Sequence, residues 1–92
     1  MNLGAGVDTR AFWVQCLAKV DRYLEVDAKE VNDAKNKVLA DLEAKGELPK
    51  ALCERKSISI DFSKESTIDL PKHGFKKEIP TFWILEGLVM YL

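Results

Sequence analysis

The chain has 92 residues, 47% of them hydrophobic and 32% charged, with a formal net charge of −1. That length allows one domain at most, burying about 60% of the surface its unfolded chain exposes. The charge balance gives no electrostatic case for nucleic acid or a membrane surface, and no apolar run approaches the roughly 18 residues that cross a bilayer.

The first ten residues, Met1 to Arg10, read as a strand-to-helix turn. An apolar Leu3 leads into Gly4-Ala5-Gly6, and two glycines supply the backbone freedom and the missing Cβ atoms that let a ligand approach main chain. Asp8 or Thr9 can cap a helix whose apolar set is Phe12, Trp13, Cys16, Leu17 and Val20. Tyr23 to Asp27 is then predicted as a short buried strand.

A second helix is predicted from Lys29 to Lys45, with an apolar stripe of Val31, Ala34, Val38, Leu39 and Leu42 and a stop at Gly46. Asp33–Lys37 and Asp41–Lys45 are i,i+4 pairs on its wet face. Glu47 to Arg55 is a connector with one helical turn around Ala51-Leu52. The alternating, β-branched Ser57 to Phe62 is a strand.

Ser63 to Lys77 should hold a short crossover helix, although Pro71 falls in its interior. Thr81 to Leu85 is a continuous apolar run of the kind buried on both faces of a parallel sheet, and a further helix should start near the C-terminus. The order β-α-β-α-β-α-β predicts an α/β fold, a partial doubly wound parallel sheet of about four strands with intervening helices.

The opening strand has about two residues where five or six are usual, and the chain closes on Leu88-Val89-Met90-Tyr91-Leu92 without cap or turn. The expectation is that residues 1–92 are a fragment of one domain, truncated at both ends. Cys16 and Cys53 stand in no metal-ligand or redox spacing, and no leader-like segment is visible. A soluble cytoplasmic protein is the default.

In open α/β sheets ligands bind beyond the carboxyl ends of the strands, where strand order reverses. Four strand ends here carry Gly4-Ala5-Gly6, Asp27, Asp61-Phe62 and Glu86. Asp27 lies 21 residues after Gly6 (27 − 6), the separation at which an acid meets ribose hydroxyls. Asp61 could accept from an adenine amino group with Phe62 against the ring. A dinucleotide prefers a third glycine where this chain has Thr9, and three carboxylates would repel its phosphates. They suit a cationic nucleoside such as S-adenosylmethionine, since an acid about 4 Å from a cation contributes roughly 4 kcal/mol before desolvation at an effective dielectric near 20.

Each residue also has a plainer reading. The glycines could form an ordinary tight turn, Asp27 could cap the following helix, and Asp61 could be a solvated turn residue. Glu86, directly after an apolar run, would be costly if buried unpaired. Arg10 is better read as balancing Asp8 or a neighbouring acid. His73 reads as solvent-exposed, the Lys72–Glu78 stretch as a solvated face, and Trp13, Cys16, Phe82 and Trp83 as packing.

Three stretches make a resemblance visible: Asn2 to Phe12, Tyr23 to Asp27, and Glu86 to Leu92. In content, order and spacing they resemble the successive motifs of the leucine carboxyl methyltransferase family, and the resemblance covers nearly the whole chain. It implies a Rossmann-like, S-adenosyl-L-methionine-dependent O-methyltransferase, with carboxyl methylation the expected reaction. Gly4 would approach the donor, Asp27 the ribose, Asp61 and Phe62 the adenine, and Glu86 the methionyl end. No catalytic residue is implied, because a carboxylate acceptor is already ionised and nucleophilic. The acceptor would be a protein C-terminal carboxylate or a small-molecule acid.

Departures from the family pattern are a donor-binding arginine ahead of the glycine turn, strands beyond Glu86, and a proline where this chain has Ala28. Reduced or absent activity of the chain alone is therefore expected. The alternatives are a nucleotide-binding oxidoreductase fragment and a non-enzymatic remnant acting through an exposed sheet edge.

Overall fold

The computed structural model describes residues 1–64 and 69–88. It contains strands β1 (Asn2–Leu3), β2 (Arg22–Asp27), β3 (Glu54–Ser59) and β4 (Ile84–Leu85), and one α-helix, α1 (Lys29–Ala44). The four strands form one parallel sheet in the order β3-β2-β1-β4. The chain therefore steps outward from β1 through β2 to β3 and returns to the other side of β1. That reversal is the doubly wound arrangement read from the sequence, and it places the switch point at the end of β1.

Register explains the two faces of the sheet. Leu3 pairs with Val26, Val26 with Ile58, and Leu3 with Leu85, so this row presents apolar side chains. Met1, Leu24, Val26, Ile58 and Ile60 make the core, with Leu3, Phe62, Leu70 and Phe75 packed against it. The intervening row is Ile84, Asn2, Glu25 and Ser57, and successive strand residues face opposite sides, so along this row the other face is polar over β1, β2 and β3.

Helix α1 docks on that polar face. It runs almost as predicted, from Lys29 to Ala44, and ends on Gly46 at φ +69°, with Gly46 N–H on the Glu43 carbonyl and Glu47 N–H on that of Leu42. This paired C-terminal motif needs the left-handed conformation that glycine adopts freely. Of the predicted stripe only Leu39 is buried; Val31 and Leu42 are half-buried and Ala34 is exposed. Asn32, Lys35 and Leu39 are buried, while Val38 is 57% exposed.

Hydrogen bonds decide the docking. Asn32 donates to the Ile58 carbonyl at 3.0 Å and Ser59 Oγ at 3.2 Å, and Asn36 donates to Ser57 Oγ at 3.1 Å. Lys35 and Arg55 both reach the fully buried carboxylate of Glu25, and Arg55 Nη2 also donates to Asn36 Oδ1 at 2.6 Å. Among the described residues no buried side-chain nitrogen or oxygen lacks a partner. A buried charge must be paired, and Glu25 selects the face of α1 that carries the cation.

Other expectations are corrected. Between β1 and β2 there is no α-helix but two 3₁₀ turns, Arg10–Phe12 and Gln15–Lys19, separated by the extended backbone of Val14. Only Ala11 is buried in them; Trp13 is 61% exposed and Cys16 is also exposed, so neither packs as expected. β3 starts and ends three residues earlier than predicted. Its polar first half pairs with β2 through Arg22–Glu54 at 3.2 Å and Arg55–Glu25, contacts that outweigh strand propensity.

Ala51 and Leu52 carry no helical turn. In the described part of Ser63–Lys77 the helix reduces to a 3₁₀ turn at Pro71–His73, where Pro71 occupies a first-turn position; His73 is half-buried. β4 is not covered on both faces. Phe82 is 81% and Leu85 49% exposed, with only Trp83 stacked on Phe75, ring centres 5.7 Å apart. The predicted C-terminal helix lies outside the described residues. Among those described, no helix is long and apolar enough to cross a membrane.

Candidate functional site

The short β1 ends in a turn that is bound to β2 at both levels of the chain. Gly4 and Ala5 donate their amides to the Val26 carbonyl at 2.7 and 3.3 Å. Gly4 has φ +72° and Gly6 φ +51°, conformations that favour glycine. The two glycines differ in their surroundings. A Cβ at Gly4 would meet the Leu88 side chain at 3.1 Å, whereas a Cβ at Gly6 would meet nothing within 4 Å. The open backbone of the turn is at Gly6.

Asp27, the last residue of β2, faces this turn. Its Oδ2 accepts the Gly6 amide at 2.8 Å, and its Oδ1 accepts the Ala28 amide at 2.7 Å, at the entry to α1. The plainer reading of Asp27 as a helix cap is thus partly realised one residue early, since Ala28 is the N-cap residue and has no side-chain cap. Among the described residues no lysine or arginine pairs with Asp27.

Asp8 anchors the far end of the turn. Its Oδ1 accepts the Arg10 amide at 2.9 Å, and its Oδ2 accepts from Arg10 Nε at 2.8 Å and Asn2 Nδ2 at 2.9 Å. Burial alone would raise the Asp8 pKa; the bonds and charge of Arg10, with Asn2, outweigh it and hold the carboxyl below its ordinary value. Arg10 also reaches Glu86 Oε1 at 3.1 Å. Hydrogen bonds from Arg10 to Asp8 and Glu86 raise the guanidinium pKa further, so it is permanently charged. Arg10 balances acids, as its plainer reading anticipated, and in doing so ties the glycine turn to the end of β4.

Of the residues singled out from sequence, Gly4, Asp27 and Glu86 share the carboxyl edge of β1, β2 and β4, joined through Gly6 and Arg10. Asp61 lies just past β3 on the same edge. Its Oδ1 accepts from Ser63 Oγ at 2.6 Å and Ser63 N at 3.0 Å, bonds that hold the carboxyl below its ordinary value. Phe62 is half-buried against the core. Neither bonds to the glycine turn among the described residues.

Sequence reasoning passed over Glu25 and Lys35, and took Asp8 only as a helix cap or as the partner of Arg10. Glu25 stood in the middle of an apolar strand, Tyr-Leu-Glu-Val, where a charge requires a partner. Lys35 stood beside Asn32 and Asn36 on a helix face with no i,i+4 acid. Those two signals, taken together, pair them.

Comparison with known proteins agrees with the geometry. The leucine carboxyl methyltransferase family profile matches residues 1–92. A relative from Mycobacterium bovis is 40% identical over 90 residues, covering 98% of this chain and 26% of the relative. Relatives from Saccharopolyspora erythraea and Mycolicibacterium smegmatis are each 36% identical, over 98% of this chain and 29% and 28% of their own lengths. All three carry the name S-adenosyl-L-methionine-dependent methyltransferase, itself given provisionally. The chain spans about a quarter of the length of these curated relatives. No solved structure matches it. With its whole length matched by one family profile, and the glycine turn, Asp27 and Glu86 assembled on one sheet edge, the chain belongs to the leucine carboxyl methyltransferase family.

Proposed function

We propose that residues 1–92 form part of one donor-binding domain, in which the carboxyl edge of the sheet holds S-adenosyl-L-methionine for methyl transfer to a carboxylate oxygen. The observation that carries this reading is Asp27: a carboxylate at the end of β2, next to the switch point, bonded to the Gly6 amide and without a cationic partner among the described residues. The family and the names of the relatives support it.

The residues suit the donor's parts. Each Asp27 oxygen accepts one amide, and a carboxylate has about four acceptor positions, which leaves capacity for ribose hydroxyls. The open space at Gly6 admits a ligand beside main chain, with Gly4 shaping the turn beneath it. Asp61 and Phe62 would take the adenine amino group and ring. Glu86 Oε1 is engaged by Arg10, and Oε2 remains for the methionyl ammonium.

When bound, the donor supplies an electrophilic methyl group on a sulfonium. The acidic edge attracts that cation, and the turn orients it. An ionised carboxylate acceptor, from a protein C-terminus or a small acid, needs no base, so these residues act by binding and alignment.

The test is calorimetric titration of S-adenosyl-L-methionine into the chain and into Asp27→Ala and Glu86→Ala. Loss of a charge-assisted hydrogen bond is worth about 1.5–3 kcal/mol, so each variant should bind at least about tenfold more weakly. Equal affinity in all three would reject the reading. NAD, tested beside it, should leave the melting temperature unchanged.

A further inference from the structure

We propose that Lys35 is a positioning residue for the glycine turn: from inside the polar layer between α1 and the sheet, it holds the Asp8 carbonyl and so sets the shape of Gly4–Asp8. Its consequence for donor affinity rests on the donor-binding reading above; its effect on the turn does not.

The geometry is specific. Lys35 is 6% exposed, and its Nζ donates both to the Asp8 backbone oxygen, at 2.5 Å, and to Glu25. Among the described residues no backbone amide donates to the Asp8 oxygen, so Lys35 is its partner. The turn is then fixed at two ends. Val26 holds Gly4 and Ala5, and Lys35 holds Asp8. Between them lies Gly6, whose amide bonds Asp27 Oδ2 and whose backbone is in a conformation that glycine enters and leaves easily.

Lys35 bonds Glu25 Oε2 and Arg55 bonds Oε1, yet charge neutrality at Glu25 requires only one of the two cations. Arg55 pairs with Glu25 by itself and is further held by Asn36 Oδ1 at 2.6 Å and the face of Phe12, 5.6 Å away. Lys35 makes the buried cluster net positive: one carboxylate against two cations. A second buried cation is costly unless its other hydrogen bonds are used. Here the remaining contact is the turn carbonyl, so the excess charge is placed where it fastens the loop.

Hydrogen exchange on the intact chain tests this directly, with Lys35→Met and Lys35→Arg beside the wild type. In Lys35→Met, Arg55 still balances the charge of Glu25, although Oε2 loses its lysine. The amides of Gly6 and Asp8, bonded to Asp27 Oδ2 and the Ala5 carbonyl, should exchange at least about tenfold faster, while those of Val26 and Ile58 change less than about twofold. Lys35→Arg should restore protection in the turn. Should Lys35→Met not fold, Lys35→Gln, neutral but able to bond Glu25, replaces it with the same expectation.

Turn amides that do not respond, or that rise only in step with Val26 and Ile58, would overturn the positioning role. Calorimetry with S-adenosyl-L-methionine on the same proteins should show about tenfold weaker binding in Lys35→Met and recovery in Lys35→Arg. Wild-type chain that shows the exchange difference yet binds no donor would overturn the donor reading alone. Donor affinity unchanged in Lys35→Met would overturn the link between the two.

Discussion

Gly6 donates its amide to the side chain of Asp27 at 2.8 Å, coupling the turn after β1 to the end of β2. One carboxylate therefore shapes the candidate site as well as facing it. Asp27→Asn keeps the size of the side chain but can accept only one of the two amides, because its NH₂ would meet the other N–H. The variant should lose about 1–3 kcal/mol of stability, read from urea unfolding, since one amide loses its partner. No change in the unfolding midpoint would mean the bond is incidental.

Asp8 makes the site sensitive to acid. Its pKa is lowered in the folded chain, so its contribution to stability is fully present above the ordinary carboxylate value of 3.8 and is lost as pH falls through the lower folded value. Thermal unfolding followed from pH 7 down to about pH 2 should therefore show a smaller acid-induced loss in Asp8→Asn than in the wild type. Parallel curves for the two proteins would contradict the assignment.

Glu25 is the most buried charge among the described residues, at 1% exposure, and two cations depend on it. Glu25→Ala leaves Lys35 and Arg55 facing each other without a counter-charge. Breaking a buried pair this way costs about 3–5 kcal/mol, which for a domain of this size is a fall in melting temperature of more than about 10 °C. Glu25→Gln should cost less, because its oxygen still accepts one bond. Differential scanning fluorimetry separates the two.

The unusual docking of α1 gives a contrast between neighbours. Leu39 is 8% exposed and Val38 57% exposed. Leu39→Ala should cost about 2–5 kcal/mol, and Val38→Ala less than about 0.5 kcal/mol. The reverse order would show that α1 is rotated from this docking, with Val38 rather than Leu39 against the sheet.

That contrast marks what the sequence made legible. Helical periodicity located α1 to within a residue at either end, because length, stop glycine and spacing are local properties. It could not tell which side of the helix the sheet requires. That depended on Glu25, on another strand, and on register that brings Arg55 and Ser57 under α1. The parallel order of the strands and the acids at their carboxyl ends were readable, since alternation and strand-end position follow from chain order alone.

The missing α-helix before β2 has a similar cause. Phe12, Trp13, Cys16, Leu17 and Val20 have the right spacing, but Val14 is extended and, apart from one bond from Val14 N–H to the Arg10 carbonyl, the bonds close as i→i+3 turns. Asp27 and Glu86 were singled out as candidates because acids at strand ends are conspicuous. Lys35 was not, because a lysine on a polar helix reads as solvated until the fold turns that face inward.

The most direct test of the central claim is an NMR titration of S-adenosyl-L-methionine into isotope-labelled chain, following backbone amides. The largest shifts are expected at Gly4, Gly6, Ala28, Phe62 and Gly87, along the carboxyl edge of the sheet, and small ones at the exposed Val38 and Asp41 of α1. Shifts that are absent at saturating donor, or that fall on α1 and spare Gly6 and Ala28, would contradict it.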